Sequence, residues 1–246
     1  MSRLDVELVA RGLARSRTHA ASLVREGRVT VNGSPAAKPS AGTAADDVVD
    51  VTAADEEFVS RAGHKLAGAL RAFPDVRVHG RRCLDAGAST GGFTDVLLRA
   101  GAREVAAVDV GHDQLVPQLR DDPRVRVVEG LNIRHLTAAD IGGPVELTVA
   151  DLSFISLRLV VEPLAAVTAP GGDLLLMVKP QFEVGRSRLG KGGVVVAEAD
   201  RRAAVDGVIA AAGEAGLTLR GEAVSPLPGQ DGNVEFFLWL GARLAA

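Results

Sequence analysis

Cysteine is nearly absent. Cys83 is the only one in 246 residues, which excludes an intrachain disulfide and any cysteine-based metal cluster. The five histidines, His19, His64, His79, His112 and His135, are scattered without ligand spacing, so no metal site is expected. Tyrosine is missing, tryptophan occurs once and phenylalanine seven times, so the core must be aliphatic. Long apolar runs are also missing: stretches such as Leu174–Val178 are far too short to span a bilayer. Arg3, Asp5, Glu7 and Arg11 interrupt the start, which argues against a secretory signal. A reducing, cytoplasmic compartment is expected. Lysine is scarce as well, with Lys38, Lys65, Lys179 and Lys191 against 24 arginines. Only an ammonium readily gives up its proton when buried. A lysine surviving in so arginine-rich a chain therefore hints at a place where arginine would fail, unless the count is chance.

What is present is an ordinary globular composition, 47% hydrophobic and 24% charged, of a length that suits one α/β domain with a small appended module. The net charge of −3 is not that of a basic nucleic-acid binder as a whole. Its distribution is uneven. Residues 1–38 carry seven basic and three acidic residues, and residues 39–60 carry six acidic and none basic. A basic head before an acidic stretch points to a separate module with one face toward a polyanion. Within it, 3–12 and 16–26 read as helices, Arg28–Val31 and Val48–Val51 as strands, Asn32-Gly33 as a hairpin turn and 35–45 as a loop. The domains are expected at 1–54 and 61–246, joined by a linker at 55–60.

Beyond residue 60 strands and helices alternate. Apolar, β-branched runs mark strands at Arg82–Asp85, Val105–Asp109, Val125–Val128, Val145–Ala150, Asp173–Val178, Leu217–Val224 and Val234–Leu240. Helical periodicity falls at about 60–72, 92–100, 113–120, 158–168 and 197–215. The alternation argues for an α/β fold with a doubly wound, mostly parallel, Rossmann-like sheet.

The first strand of that domain runs into Asp85-Ala86-Gly87-Ala88-Ser89-Thr90-Gly91-Gly92-Phe93. A glycine-rich strand-to-helix turn lets a ligand approach bare backbone N–H groups. Ser89 stands where a dinucleotide fingerprint needs its second glycine. Asp85 at the start of the loop suits a ligand carrying an ammonium, and Asp109, ending the next strand, suits ribose hydroxyls. Together these fit S-adenosylmethionine better than a nicotinamide dinucleotide. The plainer reading is a structural turn with Ser89 or Thr90 as N-cap. Asn132 either reaches the adenine or ribose edge or serves as a turn residue. Two further strands end in charge, at Asp151 and at Lys179. In an open parallel sheet, ligands bind outside the carboxyl ends of the strands, so Asp85, Asp151 and Lys179 share one edge. A lysine partly desolvated there beside an aspartate is either a tunable base or a rim ion pair. Glu235, entering an apolar strand, is a solvated edge residue or the partner of a buried cation. Lys65 has no compelling sequence context and is compatible with the surface. Arg186, Arg188 and Lys191 lie among glycines at Gly185–Gly193, in a flexible loop or a lid that touches phosphate.

These strings resemble a known family. Arg3-Leu4-Asp5, Ser16-Arg17, Gly27-Arg28-Val29-Thr30-Val31-Asn32-Gly33 and Lys38-Pro39 resemble an S4 RNA-binding domain. Ser60-Arg61-Ala62-Gly63-His64-Lys65-Leu66, Asp85–Thr94, Asp151-Leu152-Ser153-Phe154-Ile155-Ser156 and Lys179-Pro180-Gln181-Phe182-Glu183 resemble the TlyA family, hemolysin-like ribosomal RNA 2′-O-methyltransferases with an FtsJ-type domain. The resemblance covers essentially the whole chain in order. It implies a Lys65-Asp151-Lys179-Glu235 tetrad, with Lys179 as general base, Lys65 and partial burial lowering its proton affinity, and Asp151 and Glu235 orienting the two ammonium groups. It implies ribosomal RNA or ribosomal subunits as partner, held through Arg3, Arg15, Arg17, Arg25 and Arg28, with methylation of cytidine 2′-hydroxyls. A noncatalytic RNA-binding protein and a membrane-active hemolysin are the competing readings. Neither a spanning segment nor an aromatic-rich basic amphipathic helix supports the second.

Overall fold

The computed structural model describes residues 2–25, 27–44, 46–51 and 58–243, apart from the side chain of Arg186. Chain contacts divide it into two units, Met1–Glu57 and Phe58–Ala246. Half of the expected linker, 55–57, lies outside the described residues, and 58–60 belong to the second unit, with Phe58 buried and Ser60 at the N-cap of α3.

The first unit contains β1 (Ser2–Arg3), α1 (Leu4–Ala10), α2 (Arg17–Arg25), β2 (Val29–Val31), β3 (Ser34–Pro35), β4 (Gly42–Thr43) and β5 (Val49–Val51). Leu4 and Leu8, one helical turn apart, bury against Ala20, Leu23, Val24, Val29 and Val49. β2 pairs antiparallel with β3 and β5. Asn32 and Gly33 take φ of +52° and +78°, the left-handed pair that a two-residue hairpin requires. The expected loop at 35–45 contains the short β4, which pairs with β1.

The second unit runs α3 (Arg61–Ala72), β6 (Arg82–Ala86), α4 (Gly92–Arg99), β7 (Glu104–Val108), α5 (Pro117–Arg120), β8 (Val125–Val128), β9 (Val145–Ala150), α6 (Val161–Val167), β10 (Thr168–Val178), α7 (Pro180–Glu183), α8 (Glu198–Glu214), β11 (Leu217–Val224) and β12 (Phe236–Ala242). The seven strands are ordered β11-β12-β10-β9-β6-β7-β8. Parallel pairing from β8 to β10 gives way to antiparallel pairing where β12 lies between β10 and β11. The central strands β9 and β10 are buried along most of their length because both faces are covered, whereas the edge strand β11 is largely exposed. On β10, Leu175 and Met177 join Leu66, Phe73, Val96 and Phe237 on one face. Leu174, Leu176 and Val178 join Leu164, Val205, Val208 and Leu238 on the other.

Two helices are shorter than their periodicity predicts. The helix expected at 113–120 begins only at Pro117, whose missing N–H suits the first helical position and cannot extend an earlier turn. The helix expected at 158–168 is divided. A 3₁₀ turn at Leu157–Leu159 precedes α6, separated by Val160 at φ −129°.

The order reverses at β6: the chain leaves it toward β7 and β8 on one side and returns to β9 and β10 on the other. Such a reversal opens a crevice at the carboxyl ends of the strands.

Candidate active site

Strand register carries three side chains to that crevice, and a helix brings a fourth. The β6–β9 ladder ends at Ala86↔Ala150, so Gly87 and Asp151 come next, side by side. The β10–β12 ladder ends at Val178↔Phe236, so Lys179 and Glu235 flank it on the same edge. Lys65 arrives from the second turn of α3. That helix is drawn in by close contacts: an added Cβ on Gly63 would meet Phe58, one on Gly68 would meet Pro226, and one on Gly92 would meet Ser60 Oγ.

The four form two ion pairs. Lys65 Nζ donates to Glu235 Oε2 at 2.5 Å, with the residues only 6% and 2% exposed. Lys179 Nζ lies 2.6 Å from Asp151 Oδ1 and donates to Ser153 Oγ at 2.9 Å. Lys65 and Lys179 are thus the two enclosed lysines, whereas Lys38 and Lys191 are exposed.

Two clefts meet here. The first, about 610 Å³, is lined by Asp109, Val110, Gln114, Asn132, Ile133 and Leu152, among others. The second, about 570 Å³, is lined by all four tetrad residues together with Ser60, Arg61, Gln181 and Phe182. Gly87, Ser89, Asp151, Ser153 and Phe154 border both.

The glycine turn is built for close approach. Gly87 takes φ +86°, and a Cβ there would lie 2.7 Å from the Asp151 carbonyl oxygen. Ser89 takes φ +46°. The N-cap of α4 is Gly91 in the left-handed region, with no side-chain cap, so neither Ser89 nor Thr90 plays that part. Ala88, Thr90, Gly92 and Phe93 border the second cleft, while the Phe93 ring is buried against Phe237. Asp109 accepts from Ser89 N and Gly111 N, each at 2.8 Å, and borders the first cleft. Asn132 Oδ1 caps a 3₁₀ turn by accepting from Arg134 N at 3.0 Å. Its turn role is therefore real, although the residue also borders the cleft.

Asp85 does not line either cleft. It is fully buried, and its Oδ2 accepts from Thr94 Oγ1 at 2.7 Å. Burial pushes its carboxyl up to about 7, partly offset by the Thr94 bond. Because this folded value is raised, the associated stability is whole below about pH 4 and is lost as pH rises toward about 7. Unfolding by denaturant at about pH 5 and about pH 8 should therefore show the wild type losing up to about 1.4 kcal/mol per pH unit through this group. Asp85→Asn should flatten that loss, and an identical pH response in both proteins would refute the assignment.

Among the arginines read as RNA contacts, Arg3 and Arg17 both pair with Asp5, at 3.0 and 3.1 Å, and these cations hold the Asp5 carboxyl far below its usual range. Arg15 and Arg25 are exposed and Arg28 is half-buried. Arg188 pairs with Asp200 at 3.1 Å, Lys191 is exposed, and the side chain of Arg186 lies outside the described residues. The glycine-rich loop is tied down by Asn233, which accepts from Val195 N at 2.9 Å and donates to Gly193 O at 3.2 Å.

Sequence reasoning assigns no role to Asn233, Ser153 or Phe154. Phe154 is 92% exposed with φ +63°, and its ring lies 5.3 Å from that of Phe182. A bulky residue in that backbone region is strained, and such residues cluster at functional sites. No one-dimensional pattern announces it.

This sheet, with its glycine turn at the reversal point, is a methyltransferase fold. The family model described as FtsJ-like methyltransferase matches residues 58–242, and that of the S4 domain matches residues 2–49. The chain belongs to the TlyA family of methyltransferases. It is 53% identical over 242 residues, 97% of this chain and 89% of the relative, to the 16S/23S rRNA (cytidine-2′-O)-methyltransferase TlyA of Mycobacterium tuberculosis. It is 34% identical to a Brachyspira hyodysenteriae protein named Hemolysin A, over 95% of this chain and 97% of that one. A solved structure from Streptococcus thermophilus, also carrying a hemolysin name, superposes with a TM-score of 0.78 at 38% identity, over 98% of this chain and 88% of that one. Among the described residues no helix is long and apolar enough to cross a membrane.

Proposed function

We propose that this chain methylates the 2′-hydroxyl of cytidine in ribosomal RNA, acting in the cytoplasm on small-subunit RNA and, in keeping with the mycobacterial relative's name, on large-subunit RNA also. The observation that carries this is the meeting of two clefts at Gly87 and Asp151, with both lysine–carboxylate pairs on the second.

The first cleft fits S-adenosylmethionine. Asp109 receives the ribose hydroxyls, Ile133, Val110 and Asn132 flank the adenine, and of the glycine turn Gly87 and Ser89 border this cleft, while Ala88, Thr90, Gly92 and Phe93 carry the turn along the second cleft and Gly91 caps α4. The absence of room for a Cβ at Gly87 and the acidic Asp109 match that ligand. When bound, it supplies an electrophilic methyl group on a positively charged sulfur. A ribose hydroxyl is a poor nucleophile and needs a base. Lys179 Nζ, when neutral, accepts the 2′-hydroxyl proton. Asp151 and Ser153 fix where that nitrogen points. Lys65, held by Glu235, places a second cation on the same wall. The remainder is placement of the oxygen, a proximity effect.

Residues 1–54 serve as the RNA-binding module, with Arg3, Arg15, Arg17, Arg25 and Arg28 on phosphates, and 61–246 as the catalytic domain. Arg188 and Lys191 add phosphate contacts from the glycine-rich loop, whose Leu189 and Gly193 border the second cleft. Contacts of this kind position without reading sequence, so recognition rests on RNA shape.

The exposed Phe154 ring at the border of both clefts offers a face on which a base stacks. Phe154→Ala should lower the specificity constant for RNA about 5–150-fold, in line with about 1–3 kcal/mol per stacked base, with cofactor affinity retained. An unchanged specificity constant would remove the stacking role. The reading as a whole is tested by incubating purified ribosomal subunits with the protein and labelled S-adenosylmethionine, then mapping 2′-O-methylation. No label in either RNA would overturn it.

A further inference from the structure

The ladder between β9 and β10 ends at Leu176↔Ala150, and beyond it no sheet pairing sets the two chains against each other. The segment 151–156 forms no regular element, and α7 is only four residues long. Yet Asp151 and Ser153 on one segment meet Lys179 on the other within hydrogen-bonding distance.

What ties the segments together further out is Glu183. Its side chain is 2% exposed. Oε2 accepts from Ser156 Oγ at 2.5 Å and Oε1 accepts from Leu157 N at 2.7 Å. Arg158 Nε lies 3.4 Å away, and Arg158 Nη2 donates to the Glu183 carbonyl oxygen at 3.1 Å. A buried carboxylate persists only with partners, and among the described residues these partners all belong to the opposite segment. Glu183 lines neither cleft, so it does not touch substrate. Between its contacts and the Lys179–Asp151 pair stands Phe154, whose left-handed backbone holds only where its surroundings over-determine it.

We infer that Glu183, through Ser156 and Leu157 N, is a positioning residue that locks the segment after β9 onto the segment after β10 and so sets Asp151 and Ser153 against Lys179. This rests on the reading of Lys179 as proton acceptor. The lock explains why a carboxylate is retained in a buried position where it does no chemistry. It also explains why a four-residue helix comes directly after Lys179: α7 carries Glu183 back under residues 156 and 157.

The test uses the full-length protein with ribosomal subunits and labelled S-adenosylmethionine, each variant assayed below its own melting temperature. A displacement of about 1 Å in a reacting group costs about 10²-fold. Glu183→Ala should therefore lower kcat about 10–100-fold, while the Kd for S-adenosylmethionine, read by calorimetry, moves less than about threefold. Glu183→Gln keeps the shape, with Oε1 accepting from Leu157 N and the amide donating to Ser156 Oγ, and should keep kcat within about fivefold. Ser156→Ala should lose about 3–10-fold in kcat and Ser156→Thr should recover it, because only the hydroxyl matters. Adding Ser156→Ala to Glu183→Ala should cost nothing more, as expected for one shared lock. If Glu183→Ala fails to fold, the Ser156 pair decides alone. With an active wild type, a kcat unchanged in both alanine variants, or a Gln variant as poor as Ala, overturns the lock and leaves the enzymatic reading standing. A wild type that methylates no RNA overturns that reading first.

Discussion

Replacing Lys179 by alanine is expected to lower the single-turnover rate of methyl transfer to ribosomal RNA about 10²–10⁴-fold, the range supplied by a positioned proton acceptor. Lys179 Nζ is enclosed, directed by Asp151 at 2.6 Å and Ser153 at 2.9 Å, and borders the cleft that meets the glycine turn. The informative companion is Lys179→Arg. A guanidinium keeps the positive charge and can still pair with Asp151, but it does not give up its proton. If Lys179 accepts the hydroxyl proton, arginine should be nearly as inactive as alanine. If the side chain supplied only charge, arginine would retain most of the rate, and the proton-acceptor role would be wrong. Binding of S-adenosylmethionine, measured separately by calorimetry, should change little in either variant.

The second large effect falls on stability. Lys65 and Glu235 form a buried pair at 2.5 Å, with a Glu235 oxygen only 2.7 Å from where a Cβ on Gly229 would stand. The 225–233 loop therefore packs close against the carboxylate. Glu235→Ala should leave a buried, uncompensated ammonium and destabilise the second unit by about 3–5 kcal/mol, about 6–20 °C in melting temperature. Removing both charges at similar volume, as in Lys65→Met with Glu235→Leu, should recover most of that loss, because the pair offsets its own desolvation poorly. The double variant should be folded and inactive, which separates the pair's energetic role from its place on the cleft wall. A Glu235→Ala protein melting within about 2 °C of the wild type would show that the pair is not buried in solution.

Much of this architecture is legible in the chain. Runs such as Leu174–Val178 read as buried strands, and the glycines at Gly87–Gly92 offer either a close approach to ligand or a structural turn. Asp151 and Lys179 stand out because each ends an apolar run, and strand ends are where open parallel sheets bind ligands. Lys65 and Glu235 are different. One sits in a helix with no distinguishing pattern, the other enters a terminal strand where two readings stay open, and family resemblance alone puts them together. Asp85 belongs to the expected strand end but has other surroundings: alternation turns it into the layer beneath the loop, onto Thr94. Phe154 and Glu183 stand within the family strings but with no role attached, and Asn233 in none, because a buried carboxylate, a loop tie and a left-handed phenylalanine look like any Glu, Asn and Phe in a string.

The chain by itself therefore determined its elements, the alternation that makes the sheet parallel, the glycine turn and the edge where chemistry belongs, since all of these depend on neighbours a few residues apart. Tertiary structure alone decided which charges pair. Lys65 and Glu235 are 170 residues apart and meet only because β12 inserts antiparallel between β10 and β11 while α3 is drawn against the same edge. That pairing is a property of strand order and close packing, and neither is encoded in any local stretch of sequence.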